Sequence, residues 1–275
     1  PDGDVQAVSA APFDITAADI PAPWTGRFYS EIGSTSDEAL ALVRAGEIDQ
    51  PTLILTERQT SGRGRGRGAG SWSTTDGNLA VSFIHYPTSP VQDWSALSYA
   101  AGLMIARVLR EVCGFPDETV RLKWPNDVFV SGGKIAGLLL ETVQAPGGRQ
   151  ALVLGLGLNI ATAPTLDRAD YVARSLAELG YNEPPRAVVL SLINQWIDVT
   201  ARFDQQTGPR QQLFRDWQAK ALYLNEEISV RIDANTRETG RFIGLDEQSG
   251  ALKLQLRSGD IQLIMAGDVG LATAP

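Results

Sequence analysis

The sequence is poor in the side chains that many enzymes use as nucleophiles or metal ligands. It contains one cysteine, Cys113, and one histidine, His85, in 275 residues. A lone cysteine forms no intramolecular disulfide, and a lone histidine argues against a Cys/His zinc site or a His-based triad. Any chemistry must therefore use lysine, arginine, carboxylate, amide or backbone groups, or a bound metal ion.

Basic residues are outnumbered, and long apolar runs are absent. Lys plus Arg total 24 against 32 Asp plus Glu, which gives a net charge of −8. A non-specific nucleic-acid binder needs a basic face, so we expect no nucleic-acid partner. No apolar run approaches the ~18 residues of a membrane-spanning helix, and no signal-peptide pattern opens the chain. We expect a cytoplasmic protein with no membrane partner.

The patterns along the chain predict a lead-in (1–27), a main domain (28–222) and a small β-barrel domain (223–275). The lead-in is about half the length of a winged helix-turn-helix module, so we expect no repressor function. Apolar periodicity predicts helices, and short strands joined by tight turns predict antiparallel pairing. Thr35 and Glu38 have capping-box spacing at the start of a first predicted helix, which ends at Gly46. Further predicted helices cover 91–113, 186–206 and 210–221, and the polar residues 161–174 predict a loop. Predicted strands cover 52–56, 78–85, 120–124, 127–130, 134–144, 151–156, 228–232, 240–245, 252–256 and 261–264.

Residues 58–75 are read as a loop in which glycine and arginine alternate. This stretch has four arginines and no acid. Glycine lets the backbone approach a ligand, and arginine matches carboxylate or phosphate oxygens. The stretch alone fits an anion clamp, an RGG-like RNA contact or a solvated linker.

Two of the four lysines in the chain, Lys123 and Lys134, lie close together in sequence beside Asn126 and Asp127. Lysine is a compact point charge, so its use in an arginine-rich chain suggests a geometric requirement. Asp127 is a candidate Mg²⁺ ligand, with phosphate oxygens completing the shell. Further on, Gly155-Leu156-Gly157-Leu158-Asn159 ends a predicted strand and is a weak dinucleotide signal, because no helix opens there.

These segments together resemble the catalytic domain of biotin–protein ligases. The matching segments, in chain order, are Gly33-Ser34-Thr35, Gln59 with Gly62-Arg63-Gly64-Arg65, Lys123-Trp124-Pro125-Asn126-Asp127, Lys134-Ile135-Ala136-Gly137 and Gly155-Leu156-Gly157-Leu158-Asn159. Gly267-Asp268-Val269 resembles the end of the family's C-terminal domain. The resemblance implies an α+β fold similar to class II aminoacyl-tRNA synthetases: a mixed, largely antiparallel sheet flanked by helices, plus a small SH3-like β-barrel.

The resemblance also implies the substrates of this chain and the residues that contact them. The expected biotin contacts are Ser34, Thr35, Ser36, Gln59, Gly62, Arg63, Gly64, Arg65, Lys134 and Gly137. The expected ATP contacts are Arg63, Arg65, Trp72, Lys123, Asn126, Lys134 and Asn159. Arg63, Lys134 and Asp127 are the expected catalytic residues, with Asp127 as the Mg²⁺ ligand. Ser36 stands where the family usually has asparagine, and six residues rather than four separate Arg65 from Trp72.

The implied reaction has two steps. Biotin is activated with ATP as biotinyl-5′-AMP, and is then transferred to a lysine of the biotin carrier domain of a carboxylase. The enzyme supplies no nucleophile of its own, which agrees with the scarcity of histidine and cysteine. The family contains sheet-edge dimers, so a monomer and a homodimer both stay open.

Three other functions are alternatives to this one. A lipoate or octanoate ligase would share the architecture and differ in substrate. A non-enzymatic biotin sensor would bind biotin and release no pyrophosphate. An RNA-binding module would bind RNA in a steeply salt-dependent way, which the acidic composition disfavours.

Overall fold

The computed structural model describes residues 12–64, 72–75, 77–165, 171–205, 210–233 and 235–272. Over these residues the chain forms two compact units, each assembled from separate segments of sequence. The first unit comprises Pro1–Pro87, Leu139–Ala163 and Ser175–Ile197; the second comprises Thr88–Leu138, Pro164–Arg174 and Asp198–Pro275, each as far as it is described. No helix in the described ranges is long and apolar enough to cross a membrane. The predicted boundaries at 27/28 and 222/223 stay predictions.

The described residues form four α-helices and fifteen β-strands. The helices are α1 (Thr35–Ala45), α2 (Ala96–Glu111), α3 (Pro185–Asp204) and α4 (Arg210–Ala219). The strands are β1 (Thr25–Tyr29), β2 (Thr52–Thr56), β3 (Gln59–Gly62), β4 (Trp72–Thr74), β5 (Leu79–His85), β6 (Val120–Lys123), β7 (Asp127–Val130), β8 (Gly133–Gln144), β9 (Gln150–Leu158), β10 (Val172–Ala173), β11 (Glu227–Arg231), β12 (Arg237–Leu245), β13 (Leu252–Gln255), β14 (Ile261–Ile264) and β15 (Asp268–Leu271).

A mixed sheet forms the centre of the first unit, in the order β1–β2–β5–β9. The β1/β2 pair is parallel, and the β2/β5 and β5/β9 pairs are antiparallel. Every residue of β2 and β5 is buried, as continuous apolar runs predict for strands covered on both faces. Val43 of α1 packs into a core with Ile54, Ile84 and Val153 from three strands. The part of β8 from Leu139 onward belongs to this unit and lies beside β9.

Helix α1 is fixed at both ends by its sequence. Ser34 is the N-cap, and its hydroxyl accepts a hydrogen bond from the backbone N–H of Asp37 at 3.3 Å. The spacing of Thr35 and Glu38 had predicted a capping box; this is wrong by one residue, because Ser34 supplies the cap and the Glu38 carboxylate accepts from the Tyr29 hydroxyl instead. The predicted stop at Gly46 is confirmed, since this residue adopts the left-handed φ of 72° that glycine tolerates.

Three antiparallel strands, β6, β7 and the first half of β8, lie at the centre of the second unit. Strand β10 pairs with β8 in parallel. Helix α2 packs on β6, β7 and α4. Tyr99 of α2 makes edge-to-face contacts with Phe214 and Trp217 at 5.0 and 5.5 Å between ring centroids, and its hydroxyl donates to the Gly250 carbonyl at 2.5 Å. These contacts satisfy the polar end of an otherwise buried aromatic side chain.

The second unit also contains a five-stranded antiparallel sheet in the order β14–β13–β12–β11–β15. Its buried face includes Ile228, Val230, Phe242, Leu252 and Leu254. The predicted run of short strands at the end of the chain is confirmed. Together with the mixed sheet and its helices, this sheet confirms the predicted α+β class.

Three predicted segments were wrong, and strands β1 and β15 were not predicted. The helix expected over 91–113 begins at Ala96, because Val91–Asp93 forms a separate 3₁₀ turn. The Trp94 indole next to this turn donates to the Ser89 carbonyl. The expected loop at 58–75 contains the antiparallel pair β3/β4. The expected loop at 161–174 contains β10. The other predicted ends differ from the structure by at most three residues.

Candidate active site

A buried network of hydroxyl and amide groups surrounds the start of α1 in the first unit. The backbone N–H and the hydroxyl of Thr35 both donate to Gln59 Oε1, at 2.8 and 3.1 Å. The Gln59 amide in turn donates to the Thr74 hydroxyl at 3.3 Å. Thr35, Gln59 and Thr74 are all at most 8% exposed. Capping by Ser34 directs this turn of helix so that the Thr35 hydroxyl lies against β3.

Ser82 extends the network across the sheet. Its hydroxyl donates to Thr35 Oγ1 at 2.9 Å and lies 3.1 Å from the Ser36 hydroxyl. A side chain at Gly155 would place its Cβ 2.5 Å from Ser36 Oγ, so the glycine of β9 leaves the space in which this hydroxyl sits. Hydroxyls both donate and accept hydrogen bonds. The network therefore suits a small ligand that carries neutral donor and acceptor groups.

Arg63 lies beside this network and is neutralised by two carboxylates. Its guanidinium binds Glu141 at two points, Nη1–Oε1 at 3.0 Å and Nη2–Oε2 at 2.6 Å, and Nε lies 2.8 Å from Asp37 Oδ1. The Glu141 hydrogen bonds raise the pKa of Arg63 above its ordinary value, against a lowering by burial. The side chain is a fixed positive group with partial access to solvent. The predicted residue Arg65 lies outside the described residues.

Trp72 rests on the backbone of β9 in the same unit. It pairs with Gly62 through β3/β4, and a Cβ at Gly157 would overlap its indole ring. A Cβ at Gly62 would approach the Gln59 amide nitrogen to 2.5 Å. The glycines at 62 and 157 therefore allow two close approaches that any other residue would block. The indole is half-buried and presents a flat surface for stacking.

The second unit contributes a partly buried ion pair. Lys134 of β8 places its ammonium 2.7 Å from Asp127 Oδ1 of β7, with side chains 15% and 13% exposed. Burial alone would lower the pKa of Lys134, but Asp127 and Tyr171 outweigh this effect and raise it above its ordinary value. Lys134 is therefore an ammonium ion at neutral pH, in surroundings with little water.

A second ammonium group, that of Lys123, lies in the same cluster. Lys123 is only 4% exposed, and its Nζ lies 3.7 Å from Asp268 Oδ1. The Lys123 and Lys134 ammonium groups each lie 5.2 Å from the ring centroid of Tyr171. We name Lys123, Asp127, Lys134, Tyr171 and Asp268 the lysine cluster. Two ammonium groups around one ring form a site suited to a polyanion.

Other predicted residues are held near these groups by backbone hydrogen bonds and strand pairing. The Asn126 side chain donates to the Leu138 carbonyl, and Leu138 N–H donates back to the Asn126 carbonyl at 2.9 Å. Gly137 is the register partner of Asp127. In the first unit, the backbone carbonyl of Asn159 accepts from Leu176 N–H at 3.0 Å. The Asn126 side chain is thus engaged with the backbone here and must turn to reach a phosphate.

The lone histidine and cysteine take no part in either group. His85 is buried and stacks on Trp24, with ring centroids 5.8 Å apart. Burial raises the pKa of the Cys113 thiol to about 12, so this side chain carries no thiolate at neutral pH.

The predicted residues that the structure describes fall into the two groups, one in each unit, and six further residues join them. Sequence reasoning assigned none of these six to the site: Asp37, Thr74, Ser82, Glu141, Tyr171 and Asp268. Ser82 lies in a continuous apolar run, Glu141 follows the strand's apolar residues, and Tyr171 lies in a polar segment read as a loop. A serine inside a fully buried strand is the one signal that the sequence offered, because a buried hydroxyl requires a partner.

Comparisons with known proteins point to one family. The profile described as Biotin/lipoate A/B protein ligase family matches residues 30–159. The biotin–[acetyl-CoA-carboxylase] ligase of Mycobacterium tuberculosis is 34% identical over 241 residues, which cover 87% of this chain and 86% of that protein. The ligase of the same name from Paracoccus denitrificans is also 34% identical, and covers 86% of this chain and 96% of its own. The structure of biotin protein ligase from Aquifex aeolicus in complex with biotin and ATP aligns with a TM-score of 0.74 at 24% identity, over 91% of this chain and 100% of that one.

Proposed function

The chain belongs to the biotin–protein ligase family, and from this premise we propose how its two polar groups divide the reaction. The protein is an ATP-dependent ligase that activates biotin and attaches it to a carrier protein. The observation that carries this function is the 34% identity with the Paracoccus denitrificans ligase across 86% of this chain and 96% of that protein. The residue roles below are our proposal.

We assign the hydroxyl network to the ureido ring of biotin. The ring carries one carbonyl acceptor and two N–H donors. The hydroxyls of Ser36, Ser82 and Thr35 can each reverse between donating and accepting. Thr35, Ser82 and Gln59 are buried and bonded to each other, so a ligand that displaces these bonds must replace them. A ligand without the ring's polar groups would leave the displaced groups unpaired, which strongly disfavours such a ligand.

We assign the lysine cluster to the phosphates of ATP. Biotin carboxylate attacks the α-phosphorus, the bond to the β-phosphate oxygen breaks, and pyrophosphate leaves with the electron pair. Two anions must meet, so positive groups at the reacting atoms lower the barrier. Lys134 and Arg63 would supply that charge, Lys123 and Asn126 would hold phosphate oxygens, and Trp72 would stack on the adenine. Ser34, Gly62, Gly64 and Gly137 would line the biotin pocket, and Asn159 would lie by the nucleotide.

Asp127 fits the role of a Mg²⁺ ligand to a limited extent. One of its oxygens is bound to Lys134, and the described residues include no group of three His, Cys, Asp or Glu side chains able to hold a metal ion. Mg²⁺ in nucleotide enzymes commonly takes one or two carboxylates and completes its shell with phosphates and water. Asp127 would hold the ion in that way. Bound there, Mg²⁺ supplies further neutralisation of the phosphate charge.

In the second step the ε-amine of a carrier lysine attacks the acyl carbon of biotinyl-5′-AMP, and AMP leaves. The names of the relatives point to acetyl-CoA carboxylase as the acceptor, and we propose that the modified lysine lies in its biotin carrier domain. The ligase donates no nucleophile in either step, in accord with the positions of His85 and Cys113.

The proposal is tested by two assays on the purified chain. Biotin-dependent exchange of labelled pyrophosphate into ATP reports activation, and labelling of an isolated carrier domain reports transfer. We expect pyrophosphate exchange and carrier labelling with biotin, and neither reaction with lipoate or octanoate. Exchange that depends on lipoate or octanoate instead would assign the chain to the other branch of the matched profile, and biotin binding without exchange would make it a sensor.

A further inference from the structure

We infer that Tyr171 is a positioning residue that holds the ammonium groups of Lys123 and Lys134 in place for the nucleotide phosphates. The inference rests on the proposed function of the lysine cluster. Neither the sequence patterns nor the family motifs pointed to this tyrosine.

The geometry centres on one aromatic ring. The ammonium nitrogens of Lys123 and Lys134 both lie 5.2 Å from the Tyr171 ring centroid. This distance is within the ~6 Å over which an aromatic ring attracts a cation. The two lysines come from different strands, β6 and β8, so this ring is a shared neighbour of side chains whose backbones lie on separate strands.

The ring itself is held from two directions. Phe129 of β7 contacts it edge-to-face, with centroids 5.8 Å apart at an interplanar angle of 72°. Directly after Tyr171, β10 pairs in parallel with the start of β8, and Arg174 N–H donates to the Lys134 carbonyl at 2.9 Å. A Cβ at Gly133 would lie 2.5 Å from the Arg174 side chain, so the glycine permits this close pairing. This strand pairing and hydrogen bond hold the segment that carries Tyr171 against the backbone of Lys134.

The charge and the flexibility of the two lysine side chains explain why a residue is needed to hold them in place. Two ammonium groups around one ring repel each other, and lysine has a flexible four-carbon stem. Asp127 at 2.7 Å restrains Lys134, but Asp268 is 3.7 Å from Lys123 and 60% exposed, which makes it a weak restraint. The electron-rich face of Tyr171 attracts both cations without neutralising either. The ring therefore holds the two ammonium groups together without adding an opposing charge of its own.

The test is a graded reduction of the ring's attraction for cations in the 275-residue chain. Tyr171→Phe removes the hydroxyl, and phenylalanines carrying two, three and five ring fluorines then replace it at position 171. Fluorine withdraws electron density from the ring face with little change in shape. We expect kcat for biotin-dependent ATP–pyrophosphate exchange to fall stepwise, by about three- to tenfold from phenylalanine to the pentafluoro ring. The KM for biotin should stay constant along the series.

A purely structural role predicts a different result. If Tyr171 only fills space, kcat per active site, counted by the stoichiometric burst of pyrophosphate, stays flat along the series and Tyr171→Leu lowers the melting temperature alone. That result would overturn the inference. The same substitutions at Tyr86 serve as a matched control, because the Arg149 guanidinium carbon lies 4.0 Å from the Tyr86 ring centroid. They should leave kcat unchanged.

The two proposals fail in distinguishable ways. A wild-type protein without biotin-dependent exchange would refute the proposed function and, with it, the role of Tyr171. An active wild type with a flat fluorination series would refute the role of Tyr171 alone.

Discussion

Arg63 and Glu141 form a two-point ion pair, with Nη1–Oε1 at 3.0 Å and Nη2–Oε2 at 2.6 Å. This is the geometry with which a guanidinium binds a free carboxylate. Glu141 therefore occupies the place that we propose for the biotin carboxylate or a phosphate. An incoming anion must compete for the Arg63 guanidinium with Glu141 and with Asp37, which pairs with Nε.

Replacing Glu141 by glutamine should make anionic ligands bind more tightly. The substitution removes the competing charge and retains the size of the side chain. Because Arg63 is 35% exposed, solvent screens the pair, and we expect only about a two- to fivefold lower Kd for a non-hydrolysable biotinyl-AMP analogue by calorimetry. Glu31→Gln breaks the exposed pair with Arg58 and should change nothing. Weaker binding to the Glu141 variant would mean that Glu141 orients Arg63 for the ligand.

Replacing Arg63 by glycine should release the intermediate. If the guanidinium holds the mixed anhydride, its loss should increase the rate at which biotinyl-5′-AMP escapes into solution by about tenfold, the scale of a charged hydrogen bond. The measurement is chromatographic detection of free biotinyl-5′-AMP during turnover without a carrier. Arg58→Gly is the matched control. An unchanged escape rate would remove Arg63 from the clamp.

Replacing Ser82 by alanine should weaken biotin binding and leave ATP binding unaffected. The change leaves the buried hydroxyls of Thr35 and Ser36 without their shared partner. An unsatisfied buried group costs about 1–3 kcal/mol, so we expect the KM for biotin to rise about tenfold. Ser229 is a matched buried serine on a strand, bonded to Arg237, and Ser229→Ala should leave the KM for biotin unchanged. If Ser82→Ala raised the KM for biotin and the KM for ATP equally, the substitution would have loosened the fold in general.

Replacing Gly157 by alanine should displace Trp72. The new methyl group would overlap the indole ring, and the ring would have to move off β9. If Trp72 stacks on adenine, the KM for ATP should rise about three- to tenfold while the KM for biotin stays constant. An unchanged KM for ATP, together with a shifted indole fluorescence, would show that the ring moves but does not bind the nucleotide.

Much of the fold was predictable because the core strands are apolar and the turns are marked by glycine. The continuous apolar runs of β2 and β5 predicted buried strands, and Gly46 predicted the end of α1. The two strands that were read as loop, β3 and β10, were missed for a similar physical reason. The residues of β3, Gln59–Gly62, have low strand propensity, and β10 exists only through its pairing with β8, so neither leaves a local signal.

The site was predictable where chemistry is concentrated in short motifs, and less so where partners are distant in sequence. Lys134 and Asp127 were predicted together and form an ion pair at 2.7 Å. Ser82 lies 47 residues from Thr35, and Glu141 lies 78 residues from Arg63. Only the tertiary fold brings these pairs together, and a single sequence carries no record of the contact.

The most direct test of the account is biotin-dependent ATP–pyrophosphate exchange by Lys134→Ala. We propose that the Lys134 ammonium neutralises charge where the biotin carboxylate meets the α-phosphate. Lys220→Ala is the control, because Lys220 also pairs with an aspartate, Asp117, at 2.6 Å but lies outside the cluster. We predict that the exchange rate falls about 10²- to 10³-fold for Lys134→Ala, with the melting temperature near that of the wild type, and is unchanged for Lys220→Ala. Exchange at the wild-type rate by a folded Lys134→Ala variant would contradict the account.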